Sequence, residues 1–90
     1  MQTIFLLMAQ YNGSAIVPLD RVCADYFSHL TPEKMKRKVA GGEIDLPLVQ
    51  IEASQKSARG VHISDLAAYL DSMHSRAKAE HEKLMGRRAA

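Results

Sequence analysis

The sequence predicts an α+β fold, mainly helical: a winged helix-turn-helix with a two-stranded hairpin wing and a C-terminal helix. Three observations carry this expectation. Two short helical stripes are separated by a three-residue break at Ser28-His29-Leu30, the dimensions of a helix-turn-helix. The runs Leu48-Val49-Gln50-Ile51 and Val61-His62-Ile63 flank a polar stretch from Glu52 to Gly60 that has no apolar residue but alanine, which reads as a hairpin with a long tip. A third apolar stripe then opens behind Ser64, a residue suited to cap a helix.

Composition sets the scale. The chain has 90 residues, of which 47% are hydrophobic and 24% charged, so it is too apolar for disorder and suits one winged-helix domain over residues 1–90. The core is modest at this length, and a long terminal helix would find further burial against a partner chain, which makes a homo-oligomer one option. Cys23 is the one cysteine, which rules out an internal disulfide and a Cys-based zinc site and fits a reducing, cytoplasmic setting. The apolar stretch Ile4 to Ala9 lacks a basic n-region and is too short to span a bilayer, so neither signal peptide nor membrane anchor is expected.

The elements follow in order. Thr3 is placed to cap a short helix through Tyr11, stopped by Asn12-Gly13, although the same Asn-Gly could turn a hairpin into Ala15-Val17. The helix is the preferred reading of this 1–17 extension. Ala15-Ile16-Val17 is extended, because the residue ahead of Pro18 is driven toward the β region. Leu19, Val22, Cys23, Tyr26 and Phe27 recur at helical spacing and lay one stripe over two turns. Thr31-Pro32-Glu33 starts the second helix: a capping hydroxyl, proline at the first helical position and an acid in the first turn. It runs to about Ala40 and ends at Gly41-Gly42, since glycine accepts the left-handed conformation of a helix end. The helix from Ser64 carries Asp65 near its start and Leu66, Ala67, Leu70, Met73 and Ala77 on one side. From Ser75 onward the stripe thins, leaving Ala77, Ala79 and Leu84 among charges, and an exposed helical tail is expected over 72–90 that frays before Arg87.

Net charge is only +2, so the position of the cations matters more than their number. Lys34, Lys36, Arg37 and Lys38 crowd the second helix, which has only Met35, Val39 and Ala40 to bury. Phosphates attract Lys and Arg, and base edges are read by side chains with matched donors. The candidate DNA-contacting set on this helix is therefore Thr31, Glu33, Lys34, Lys36, Arg37 and Lys38. Thr31 and the first backbone amides suit a phosphate, and the Arg37 guanidinium suits bidentate contact with guanine. A solvated basic face is the competing reading of the run. In the wing, Ser54, Gln55, Lys56, Ser57 and Arg59 combine cations with amide and hydroxyl donors suited to the DNA backbone, against the plainer reading of a polar loop. His62, at the end of the wing, completes the set.

Other chemistries find little support. Cys23 lies on the apolar stripe and reads as a buried structural thiol. His29, His62, His74 and His81 lack metal-ligand spacing, and no cofactor, metal or catalytic residue is expected. Gly41-Gly42 lacks the pattern of a nucleotide loop. The five methionines, Met1, Met8, Met35, Met73 and Met85, read as packing residues.

Several segments resemble a known family. Phe5-Leu6-Leu7-Met8-Ala9-Gln10-Tyr11, Val22-Cys23-Ala24-Asp25-Tyr26-Phe27, Leu30-Thr31-Pro32-Glu33-Lys34, and Ser54-Gln55-Lys56-Ser57-Ala58-Arg59-Gly60-Val61-His62 with Asp65-Leu66 closely resemble the pyocin activator PrtN family. The resemblance covers roughly residues 3 to 71, and Ser54 to His62 is its most specific part. It implies a small bacterial activator acting at a DNA box upstream of bacteriocin or phage-tail-like gene clusters, with duplex DNA and RNA polymerase as partners. More distantly the arrangement is similar to excisionases and their AlpA-like relatives. An architectural DNA-bending factor is therefore an alternative. A protein-interaction module such as an anti-repressor, working through the apolar N-terminal segment and the last helix, is an alternative of another class.

Overall fold

The computed structural model describes residues 2–50 and 59–89. Its elements are α1 (Thr3–Gln10), β1 (Ile16–Pro18), α2 (Leu19–Tyr26), α3 (Pro32–Ala40), β2 (Val49–Gln50), β3 (Arg59–His62) and α4 (Ile63–Ala89). The architecture is the mainly helical α+β winged-helix type expected. The strands form one antiparallel sheet in the order β1-β3-β2.

The first segment is helical. Asn12 and Gly13 end it with φ of 53° and 76°, conformations open to asparagine and glycine. Thr3 is not its cap. Gln2 holds that position without a side-chain bond, and the Thr3 hydroxyl donates instead to the Asp71 carboxylate of α4 at 2.5 Å. Tyr11 and Tyr26 tie α1 to α2: the Tyr11 hydroxyl donates to Asp25 at 2.6 Å and the Tyr26 hydroxyl to the Gln10 amide oxygen at 2.7 Å. The Arg21 guanidinium lies 5.0 Å from the centre of the Tyr11 ring.

The hairpin of β2 and β3 is present, with Val49 opposite Gly60 and Gln50 opposite Arg59. It gains a third strand. Ile16, Val17 and Pro18 pair with His62, Val61 and Gly60, so the extended piece ahead of α2 becomes a sheet edge. Pro18 is tolerated there because an edge strand can forgo a donor. Gly60 is required by this pairing: a Cβ at that position would stand 2.6 Å from Ile16 Cγ2 and 3.1 Å from the Val17 carbonyl oxygen.

Ile63 belongs to α4 rather than to the strand, and Ser64 is not the cap. Its backbone N–H donates to His62 Nδ1 at 3.1 Å, and its hydroxyl lies 2.7 Å from the same nitrogen. The imidazole thus acts as the N-cap acceptor ahead of α4. Nor does the tail fray before Arg87, since α4 continues to Ala89. At 1.5 Å per residue it is about 40 Å long in a molecule of extents 56 × 30 × 19 Å.

Leu7, Val17, Val22, Met35, Leu46, Val61 and Leu66 are the largest fully buried side chains. They draw every helix and β1 and β3 onto one core, and the Phe27 ring packs tilted against Tyr69 of α4 at 5.7 Å between centroids. Met35 packs as expected, whereas Met8 and Met85 are exposed, because the helix surfaces that carry them meet no other element.

Candidate nucleic-acid interface

The sequence Thr31-Pro32 begins α3 as its chemistry requires. Thr31 Oγ1 accepts the Lys34 backbone N–H at 3.2 Å, and Pro32, which has no N–H to lose, occupies the first helical position. The end of α3 is a Schellman turn. Gly42 has φ of 77°, its N–H donates to the Val39 carbonyl at 3.1 Å, and the Glu43 N–H donates to the Lys38 carbonyl at 2.9 Å. Gly41 keeps an ordinary helical φ, so only the second glycine supplies the left-handed conformation.

One side chain fixes the helix to the body. Met35 is wholly buried, Val39 is half-buried and Ala40 is exposed. Burying a side chain of that size is worth about 1.5–3 kcal/mol, and it sets which face of α3 turns outward. Thr31, Glu33, Lys34 and Arg37 are exposed, and Lys36 and Lys38 are half-buried.

The cations of α3 are not equivalent. Lys36 is 3.5 Å from Glu33 one turn earlier, and Lys38 is 3.8 Å from Glu43. The second pair exists because the Schellman turn folds Glu43 back over Lys38. Ion pairs this exposed contribute about 0–1 kcal/mol, but they lower the positive potential at those two lysines. Lys34 and Arg37 have no acidic partner among the described residues. Sequence reasoning singles out Arg37 but misses the pairing of Lys36 and Lys38 with acids. Glu33 at three residues from Lys36 was a visible signal, whereas Glu43 required the turn geometry.

The structure brings part of the wing to the same surface. Lys36, Val39 and Ala40 of α3 and Arg59 of β3, together with Leu48, line one groove of about 350 Å³. A cation therefore stands on each side of the junction between α3 and the wing base. His62 lies at the opposite end of β3, and its Nδ1 is engaged by Ser64. Ser54, Gln55, Lys56 and Ser57 lie outside the described residues.

The remaining titratable features are structural. Burial pushes the Tyr11 phenol well above its ordinary range, and the hydrogen bond to Asp25 and that carboxylate's charge push the same way. Burial also raises the Cys23 thiol, with Asp20 adding to it, so the sulfur stays protonated and inert. No group of three or more His, Cys, Asp or Glu side chains that could hold a metal occurs among the described residues. No helix among them is long and apolar enough to cross a membrane.

A family model described as pyocin activator protein PrtN matches residues 3–77. No curated protein and no solved structure matches the chain.

Proposed function

We propose, from the premise that the chain belongs to the pyocin activator PrtN family, that it activates transcription by binding a promoter box in duplex DNA ahead of pyocin-like or phage-tail-like gene clusters. In this reading α3 enters the major groove. Arg37 reads a base edge, Lys34 and Thr31 hold phosphates at the start of the helix, and Lys36 and Arg59 grip the backbone from either side of the groove between helix and wing. Glu33 and Lys38 border the contact, and the wing segment with Ser54, Gln55, Lys56 and Ser57 follows the flanking backbone. His62 supports the wing through its bond to α4. The activator works in the cytoplasm, RNA polymerase is the protein it recruits, and it catalyses no reaction.

The observation that carries this reading is the pairing state of the α3 cations. Acids neutralise Lys36 and Lys38 in part, while Lys34 and Arg37 project outward with no acidic partner among the described residues. Lys34 and Arg37 are thus the α3 cations left fully available to phosphates and base edges. The test is fluorescence anisotropy with a duplex from the upstream region of such a cluster and a random duplex of equal length, at about 50 mM and about 200 mM salt. The upstream duplex should bind more tightly at both. Arg37→Ala should weaken it by about 1–3 kcal/mol with little effect on the random duplex, and Lys56→Ala should weaken both alike. Equal affinity of the unaltered protein for the two duplexes would refute the reading.

A further inference from the structure

The large apolar side chains left exposed among the described residues fall on two elements: Phe5 (55%), Leu6 (54%) and Met8 (42%) on α1, and Leu84 (56%) and Met85 (48%) near the end of α4. From Thr3 to Gln10, α1 has no charged residue, yet only Ile4, Leu7 and Tyr11 meet the core. A helix apolar on all sides is ordinarily covered on all sides. The far end of α4 shows the complementary pattern. About five turns of about 3.6 residues separate Leu84 from the buried Leu66, so Leu84 continues the stripe that begins in the core and runs through Leu70, Met73 and Ala77.

These two surfaces cannot meet within one chain. The start of α1 is bonded to Asp71, and the segment after it leads back to Ala15, whose carbonyl accepts the Ile63 N–H at the start of α4. Leu84 stands about 20 Å beyond Asp71 along a continuous helix. We propose that the protein is a two-fold symmetric dimer in which the far end of each α4 packs across the exposed face of the other copy's α1.

A second copy is the occupant that the surfaces favour. A different protein seated on α1 would leave the end of α4 bare, and the reverse, whereas a two-fold contact uses both patches of both chains at once. The size also fits. With about 150–200 Å² for a fully exposed large side chain, the five residues offer about 400–500 Å² per chain. Doubled, and with the flanking polar atoms, this reaches the lower part of the 1,200–2,000 Å² range typical of stable interfaces. When Leu84 is level with the second copy's α1, the symmetry axis lies level with Ala77, about midway between Leu84 and the part of α4 that α1 covers.

Sedimentation equilibrium of the full chain across the micromolar range tests this without reference to DNA, so its failure is distinct from failure of the promoter-binding reading. The unaltered protein should be dimeric. Leu6→Glu and Leu84→Lys should each weaken the dimer by at least about 100-fold. An equimolar mixture of the two variants should recover it, because the new acid of one chain then faces the new base of the other while the second contact keeps its leucines. Leu84 lies beyond the folded body, so its variant stays informative even if Leu6→Glu unfolds, and Met8→Glu then takes its place in the mixture. A monomeric unaltered protein, a dimer insensitive to either change, or folded variants that fail to recover association on mixing would each overturn the proposal.

Discussion

Replacing Gly60 by alanine should loosen the sheet at its centre. Gly60 faces Pro18 on one side and Val49 on the other, and the added methyl would meet Ile16 Cγ2 at 2.6 Å and the Val17 carbonyl oxygen at 3.1 Å. Carbon atoms rest at about 3.5–4.0 Å, so β1 and β3 must separate by roughly 1 Å. Ile16 can yield only in part, because a β-branched side chain has few χ1 alternatives, and the Val17 carbonyl belongs to the backbone. The φ of Gly60 lies outside the left-handed region, so alanine itself adds no backbone strain. Overpacking of this kind costs about 1–3 kcal/mol, and the smaller entropy of the unfolded alanine chain returns about 0.4–1 kcal/mol. The net loss is about 0.5–2 kcal/mol, and each kcal/mol lowers Tm by about 4–8 °C in a chain of this size. Urea and thermal denaturation followed by circular dichroism would measure it. Ile16→Ala removes the clashing methyl, so in that background Gly60→Ala should cost about 1 kcal/mol less. An unchanged Tm, or the same loss in both backgrounds, would show that this contact does not set the strand spacing.

Other perturbations test other parts of the fold and site. Met35→Ala should lower stability by about 2–5 kcal/mol in urea denaturation, since it empties the one fully buried site on α3. His62→Ala should cost about 0.5–2 kcal/mol through loss of the α4 cap, and His62→Asn, which keeps a side-chain acceptor, should recover most of it in the same measurement. Arg59→Ala should weaken all duplexes alike and flatten the salt dependence by about one counterion; a loss confined to one sequence would count against a backbone contact. The raised Tyr11 phenol favours the protonated, folded state. Its contribution is therefore complete below the ordinary tyrosine pKa of about 10 and is lost as the pH climbs above it. Melting curves should show a steeper alkaline decline for the unaltered protein than for Tyr11→Phe.

Local chemistry was the legible part of the sequence. The stripe through Val22 and Cys23, the Thr31-Pro32 start, the arrest at Gly42 and the paired runs of the wing depend on residues within a turn or two of one another. What escaped depends on residues far apart. The Ile16 segment became a strand because β3 lay beside it, and Thr3 gave up capping because Asp71 of α4 came within reach. His62 shows a different limit: serine is the commoner cap, and only the coordinates put the imidazole nitrogen in front of the Ser64 N–H. At the candidate interface, the crowding of cations on α3 could be read directly. The pairing of Lys38 needed the turn that brings Glu43 back to it, and the meeting of Lys36 with Arg59 needed the docking of the wing against the helix.

Because β1 pairs with β3, the fold cannot be completed before Gly60, Val61 and His62 have been made. Local helices form within microseconds, but closing the loop of roughly 45 residues between these strands costs about 3 kcal/mol of chain entropy. Until Val61 and Leu66 arrive, Leu7, Val17 and Val22 lack the neighbours that bury them in the finished molecule. A nascent chain stalled between Gly42 and Gly60 would therefore expose sticky helices instead of forming a smaller stable unit. Chaperone demand should peak there and fall once the start of α4 has been made.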